Sequence, residues 1–140
     1  MDSLSTVSSL EAVIDISANI ASLCFQYSVA DKNAKTDIEA FSKTINDISN
    51  SLQEVKQLLN GQNKSQLSTT YKLSDWLEEC YQKLQELKVQ LEPGKTLKAM
   101  HGVGIQALKW PFTSEQMEKI VDDLRKYAQA FRLALQIDQT

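Results

Sequence analysis

Residues 37–60, DIEAFSKTINDISNSLQEVKQLLN, place Ile38, Phe41, Ile45, Ile48, Leu52, Val55 and Leu59 at spacings of 3, 4, 3, 4, 3 and 4. An apolar seam of strict heptad period marks a helix that buries one stripe against other helices. Asn60-Gly61 ends it, as a glycine just past the last apolar position commonly does. At its front, Thr36 and Glu39 have capping-box spacing, which predicts a helix start there, or an unbroken helix from about Asp31.

The same pattern recurs downstream. Leu73, Leu77, Cys80, Leu84, Leu87 and Leu91 follow at 4, 3, 4, 3 and 4, with Trp76 and Tyr81 alongside, until Glu92-Pro93-Gly94 stops the run. Residues 62–70 between the two seams read as a polar loop. A short or broken helix is expected from Leu97 to Lys109, where Gly102 and Gly104 each weaken a helix interior by about 1 kcal/mol. Pro111 forces a boundary, and Thr113 with Gln116 forms a second capping box before a last helix. Met117, Ile120, Val121, Leu124, Tyr127, Ala128 and Phe131 make its apolar face.

Upstream, residues 1–30, MDSLSTVSSLEAVIDISANIASLCFQYSVA, contain no Lys or Arg. A helix from about Leu4 to Tyr27 is predicted, with a wide apolar stripe that Ile16 and Phe25 extend around the cylinder. A secretory signal needs a basic region before its apolar stretch, which is missing here. A bilayer span needs about 20 predominantly apolar residues, and the uncharged run Ile16–Ala30 reaches only about 22 Å as helix. Glu11 and Asp15, at about +3 kcal/mol for a central acid, cancel most of the gain from the Leu, Ile, Val and Phe side chains. Alone, this helix is too costly to insert.

These elements describe an all-α fold, an antiparallel bundle of four long helices plus one short helix, forming a single domain over residues 1–140. The composition, 42% hydrophobic with net charge −3, leaves no basic excess for nucleic acid. Cys24 and Cys80 are far apart, lack metal-ligand spacing and read as reduced thiols in a cytosolic core. The only histidine, His101, sits beside two glycines. No nucleophile, base and orienter can be assembled around it, so neither an enzyme, a cofactor nor a small-molecule substrate is expected. Asp138-Gln139-Thr140 arrives without a capping glycine, which reads as the end of an excised domain.

Two clusters carry alternative readings. Glu11 and Asp15, four residues apart, would form a proton-sensitive switch if buried together, and are otherwise two solvated acids. Lys109, Trp110 and Phe112 would form an interfacial membrane anchor, or plug the end of the bundle.

The opening MDSLSTVSSLEAVIDIS with SLCFQYSVADKNAKTDIE, the turn LEPGKTLKAM, the segment ALKWPF and the ending LALQIDQT resemble the fungal N-terminal domain of STAND proteins, the HeLo-like domain family. The resemblance spans essentially the whole chain. It is similar in architecture to HeLo and to the four-helix bundle of the mixed-lineage kinase domain-like necroptosis effector. The resemblance implies the N-terminal domain of a NOD-like receptor, or a domain preceding an amyloid-type signalling motif. It further implies programmed cell death in fungal immunity and heterokaryon incompatibility. The domain would be cytoplasmic at rest; self-association would drive its N-terminal helix into the lipids of the plasma membrane, forming a pore or disrupting the bilayer. On this sequence the membrane-targeting residues would be Leu4, Val7, Leu10, Val13, Ile14, Ile20 and Leu23. The segment lacks the glycines of some relatives, although Ser8, Ser9, Ala12, Ser17, Ala18, Ala21 and Ser22 are small enough for helices to approach closely. The alternative is a helical interaction and oligomerisation module that relays a receptor signal while staying folded.

Overall fold

Four α-helices and one short 3₁₀ helix form the described part of the chain, residues 3–60, 70–92 and 109–139 of a computed structural model. They are α1 (Ser3–Ala30), the 3₁₀ turn Lys32–Ala34, α2 (Lys35–Asn60), α3 (Thr70–Leu91) and α4 (Ser114–Gln139). The fold is all-α. The loop expected at 62–70 lies outside the described residues except for Thr70, which opens α3. The short helix expected from Leu97 to Lys109 lies outside them too, except for Lys109 itself, as does His101 with its glycines.

The core follows the heptad seams. Ile38, Phe41, Ile45, Ile48, Leu52 and Val55 of α2 meet Leu73, Leu77, Cys80, Leu84, Leu87 and Leu91 of α3 in one cluster. Met117, Val121, Leu124, Ala128 and Phe131 of α4 complete it, together with Leu10, Val13, Ile16, Ile20, Cys24 and Tyr27 of α1.

Capping explains where two helices begin. At α4 the reciprocal box is complete: the Thr113 N–H donates to Gln116 Oε1 at 2.9 Å and the Gln116 N–H to Thr113 Oγ1 at 3.1 Å. At α2 the expected Thr36–Glu39 box is not what caps the helix. Asp31 accepts from the Asn33 N–H at 3.2 Å, starting the 3₁₀ turn that feeds directly into α2 at Lys35. An aspartate two residues before the donor satisfies the turn earlier than the threonine can.

Consecutive helices run in opposite directions. Glu11 near the start of α1 pairs with Lys56 near the end of α2, and Trp76 of α3 packs edge-on against Tyr127 of α4. Lateral neighbours, however, include parallel pairs. Tyr27 and Leu91, at the C-terminal ends of α1 and α3, are hydrogen-bonded, while Ser114 at the start of α4 bonds Asp37 at the start of α2. The main packing partners are α1 with α2 and α3, and α2 with α4; α3 meets α4 less extensively. The order around the bundle is therefore α3, α1, α2, α4, with α2 and α3 standing on one diagonal.

Candidate functional site

The first helix carries two different faces. Inward, Leu10, Val13 and Ile20 are fully buried, with Ile16, Cys24 and Tyr27 nearly so. Val7, Ile14 and Leu23 pack against the edge of that core. Six of the seven residues expected to touch a membrane thus help hold the bundle together; the Leu4 side chain lies outside the described ones.

Outward, Glu11, Asp15, Ala18, Ser22, Phe25 and Val29 are all exposed, at spacings of 4, 3, 4, 3 and 4. This stripe is acidic at its N-terminal end, small in its middle and apolar at its C-terminal end. Phe25 exposes 70% and Val29 61% of their surface. Phe25 does not extend the core stripe as expected, because it lies a quarter-turn away from Cys24 and past the edge of the packed face.

Residues Val7–Ala30 are one continuous helix of 24 residues whose most apolar window has a mean hydropathy of 1.3, long and apolar enough by length and composition to cross a membrane, a test that the core helix of a soluble bundle also passes. The uncharged run alone falls short of that length; the longer helix also holds Glu11 and Asp15 in its first part and the polar Asn19 and Gln26 further on. Only 33% of its most apolar window is buried.

Glu11 and Asp15 are surface groups in this state. The Glu11 carboxylate lies 3.3 Å from Lys56 Nζ, both side chains being well exposed. A buried carboxylate switch is not present in the resting bundle.

The aromatic cluster turns inward. Trp110 and Phe112 are only 7% and 9% exposed, and Trp110 stands edge-on to Tyr27, Phe41 and Phe112 at centroid distances of 5.3, 5.8 and 5.4 Å. The cluster therefore plugs one end of the bundle, and of the expected interfacial anchor only Lys109 faces solvent. Asp31 fastens the plug. Its second carboxylate oxygen accepts from the Trp110 backbone N–H at 3.1 Å, 79 residues along the chain, while its first caps the 3₁₀ turn.

Among the described residues, two buried side-chain polar atoms have no partner: Ser17 Oγ in the middle of α1 and Trp110 Nε1. A buried hydroxyl without a hydrogen bond costs about 1–3 kcal/mol, so α1 is held less tightly than its shape allows. The cysteines offer no reactive alternative. Cys24 and Cys80 are free and buried, and burial pushes each thiol up to about 12, leaving it protonated at neutral pH. No group of metal-binding side chains occurs among the described residues.

Asp31, Ser17 and Val29 are not singled out by spacing in the sequence, and Phe25 reads there as part of the core stripe. The outward heptad of α1 is the available signal for two of them. No family model matches the chain, and no curated protein or solved structure matches it either.

Proposed function

We propose that this domain is a membrane-permeabilising cell-death effector of the HeLo-like kind, kept inactive by folding its N-terminal helix into its own bundle. Clustering of copies, imposed by an upstream receptor or by an amyloid-type signalling motif, would release that helix into the plasma membrane.

The observation that carries the reading is the double use of α1. The helix apolar enough to cross a bilayer is the same one whose Leu10, Val13 and Ile20 complete the core, and its outward stripe still carries Phe25 and Val29. Withdrawing six core residues of α1, at about 1.5–3 kcal/mol each, costs on the order of 10 kcal/mol, close to the whole stability of a typical domain. Spontaneous release is negligible. A high local density of copies supplies what the monomer lacks, since neighbouring inserted helices shield Glu11 and Asp15 from lipid and pack through Ser8, Ala12, Ala18 and Ser22.

The test is dye leakage from liposomes on chemically forced clustering of the purified domain. Leakage should require α1 and vanish in Ala18→Lys, a substitution on the exposed stripe of that helix which leaves the core intact. Clusters that neither leak liposomes nor kill cells would sink the reading.

Complete burial of Leu10, Val13 and Ile20 also favours a second reading, an interaction module that stays folded and relays a receptor signal. Surface substitutions on α2 to α4 would then abolish signalling, and no leakage would accompany it.

A further inference from the structure

The outward stripe of α1 is a second heptad seam. Glu11, Asp15, Ala18, Ser22, Phe25 and Val29 are all exposed and repeat at 4, 3, 4, 3 and 4. A period of about 3.5 residues keeps one face of a helix turned toward a neighbouring helix along its whole length. The inward residues of α1 already account for its packing on α2 and α3, so this second seam is left for a helix outside the bundle.

The chemistry of the seam changes along its length. Ala18 and Ser22 at its middle are small enough to let two helix axes approach closely. Phe25 and Val29, 70% and 61% exposed, lie to one side of them, and Glu11 and Asp15 to the other. Just past the apolar end stand Lys32 and Lys35, which line one groove with Phe25 and Ser28 and so share their side of the molecule. Among the described residues, no acid lies within ion-pairing distance of either lysine, and no base within that distance of Asp15. Glu11 has only its exposed contact with Lys56. Glu39 lines the same groove and offsets one lysine, whereas the Asp31 carboxylate is already engaged by two backbone N–H groups.

Reversed, this strip is its own complement. Ala18 lies four positions before Ser22 and Phe25 three positions after it. A two-fold axis beside Ser22 therefore sets each Phe25 ring over the other copy's Ala18, and brings each acidic end to the other's basic corner. A parallel pair places Glu11 beside Glu11 and Asp15 beside Asp15, where like charges repel. A lipid surface suits the strip less than a second copy does, since its first two seam positions are carboxylates.

We propose that two copies of this chain pair in solution through the outward face of α1, antiparallel, with Phe25 of each seated on Ala18 of the other and Glu11 and Asp15 of each against Lys32 and Lys35 of the other. From Glu11 to Val29 the strip is roughly 27 Å long and about 10 Å wide, well short of the roughly 800 Å² per partner of a standard stable interface, so pairing sets in at micromolar concentrations and above. The pair does not depend on the membrane reading. On that reading it is a safeguard, because helices entering a bilayer from one side run parallel to one another and an antiparallel pair has to come apart first.

Sedimentation velocity between about 1 and about 300 µM should show a monomer giving way to a dimer as concentration rises. Under mild oxidation Ser22→Cys should form a disulfide between copies while Val29→Cys does not, because the two Val29 positions stand roughly 21 Å apart across the axis. The native thiols are both buried and add no background. Glu11→Lys with Asp15→Lys, and separately Lys32→Glu with Lys35→Glu, alter exposed side chains; each should keep the melting temperature and weaken pairing at least about tenfold. Mixing the two double variants should restore a dimer, since every base in the mixed pair again faces an acid. A monomer at every concentration overturns the proposal and leaves the liposome test untouched. Cross-linking of Val29→Cys as readily as Ser22→Cys overturns it too, as does a mixture that pairs no better than its components. A dimer with the expected cross-link and rescue, beside clusters that never leak, sustains the pair and sinks the permeabilising function.

Discussion

The Tyr27 hydroxyl donates to the Leu91 carbonyl oxygen at 2.6 Å, joining the C-terminal ends of α1 and α3 across 64 residues of chain. The acceptor is one of the carbonyls that a helix end leaves without an intrahelical partner. Tyr27→Phe keeps the ring packing against Trp110 and removes this bond. The variant should lose about 1 kcal/mol of stability in urea unfolding.

Alkaline pH should loosen the bundle. Burial raises the Tyr27 phenol above its usual value, helped by Cys24, and raises both cysteine thiols from 9.0 to about 12. The unfolded chain therefore releases these protons first, so stability is intact below about pH 9 and falls as pH climbs through the raised values. Urea midpoints between pH 8 and pH 11 measure the slope. Cys80→Ala should flatten it, and an unchanged slope in that variant would contradict the assignment.

Ser17→Ala should stabilise the protein. The substitution removes an unpartnered hydroxyl on a residue that is 1% exposed, and alanine is the better helix former. A gain of about 1 kcal/mol, or a few degrees in melting temperature, is expected, with clusters needing a higher concentration to act. A lower melting temperature would show that the hydroxyl is satisfied in solution.

Stability and membrane activity should separate on the outer face of α1. Ile20→Lys would bury a charge in the core and unfold the domain, so its loss of activity proves little. Ala18→Lys lies on the exposed stripe and should leave melting within about 0.5 kcal/mol while abolishing leakage. Glu11→Gln with Asp15→Asn should do the opposite. The Glu11–Lys56 pair is too exposed to matter much to folding, yet neutralising both acids lowers the cost of insertion.

Asp31→Ala should lose a helix cap and the tie to Trp110 together, costing about 1–2 kcal/mol. Trp110 emission should shift red as the plug opens. An unshifted emission maximum would mean that the aromatic contacts hold the plug without the carboxylate.

Much of this fold is legible in periodicity. The seams from Ile38 and Leu73 identify buried stripes because a heptad pattern leaves only one face for a helix to bury. The Thr113–Gln116 box is legible because both partners lie within one turn. The arrangement of helices is not, since a seam states which face is covered but not by which neighbour; the diagonal placement of α2 and α3 has no local signature. Trp110 and Phe112 suit a membrane surface and a bundle end equally, and what decides between them is Asp31, far away in sequence. Phe25 sits off its expected face because the core stripe and the outward stripe of α1 are both apolar at that end, so composition does not mark their border.

The two ends of α1 are fastened unequally. Its C-terminal end is bolted by Tyr27, by the carboxylate of Asp31 just beyond it, and by the aromatic plug, whereas toward its N-terminal end the core contacts of Leu10 and Val13 are joined only by the exposed Glu11–Lys56 pair among the described polar contacts. If α1 leaves the bundle as proposed, it would open from its N-terminal half toward a hinge at Tyr27, past the buried Ser17, and its root would stay joined to the other three helices.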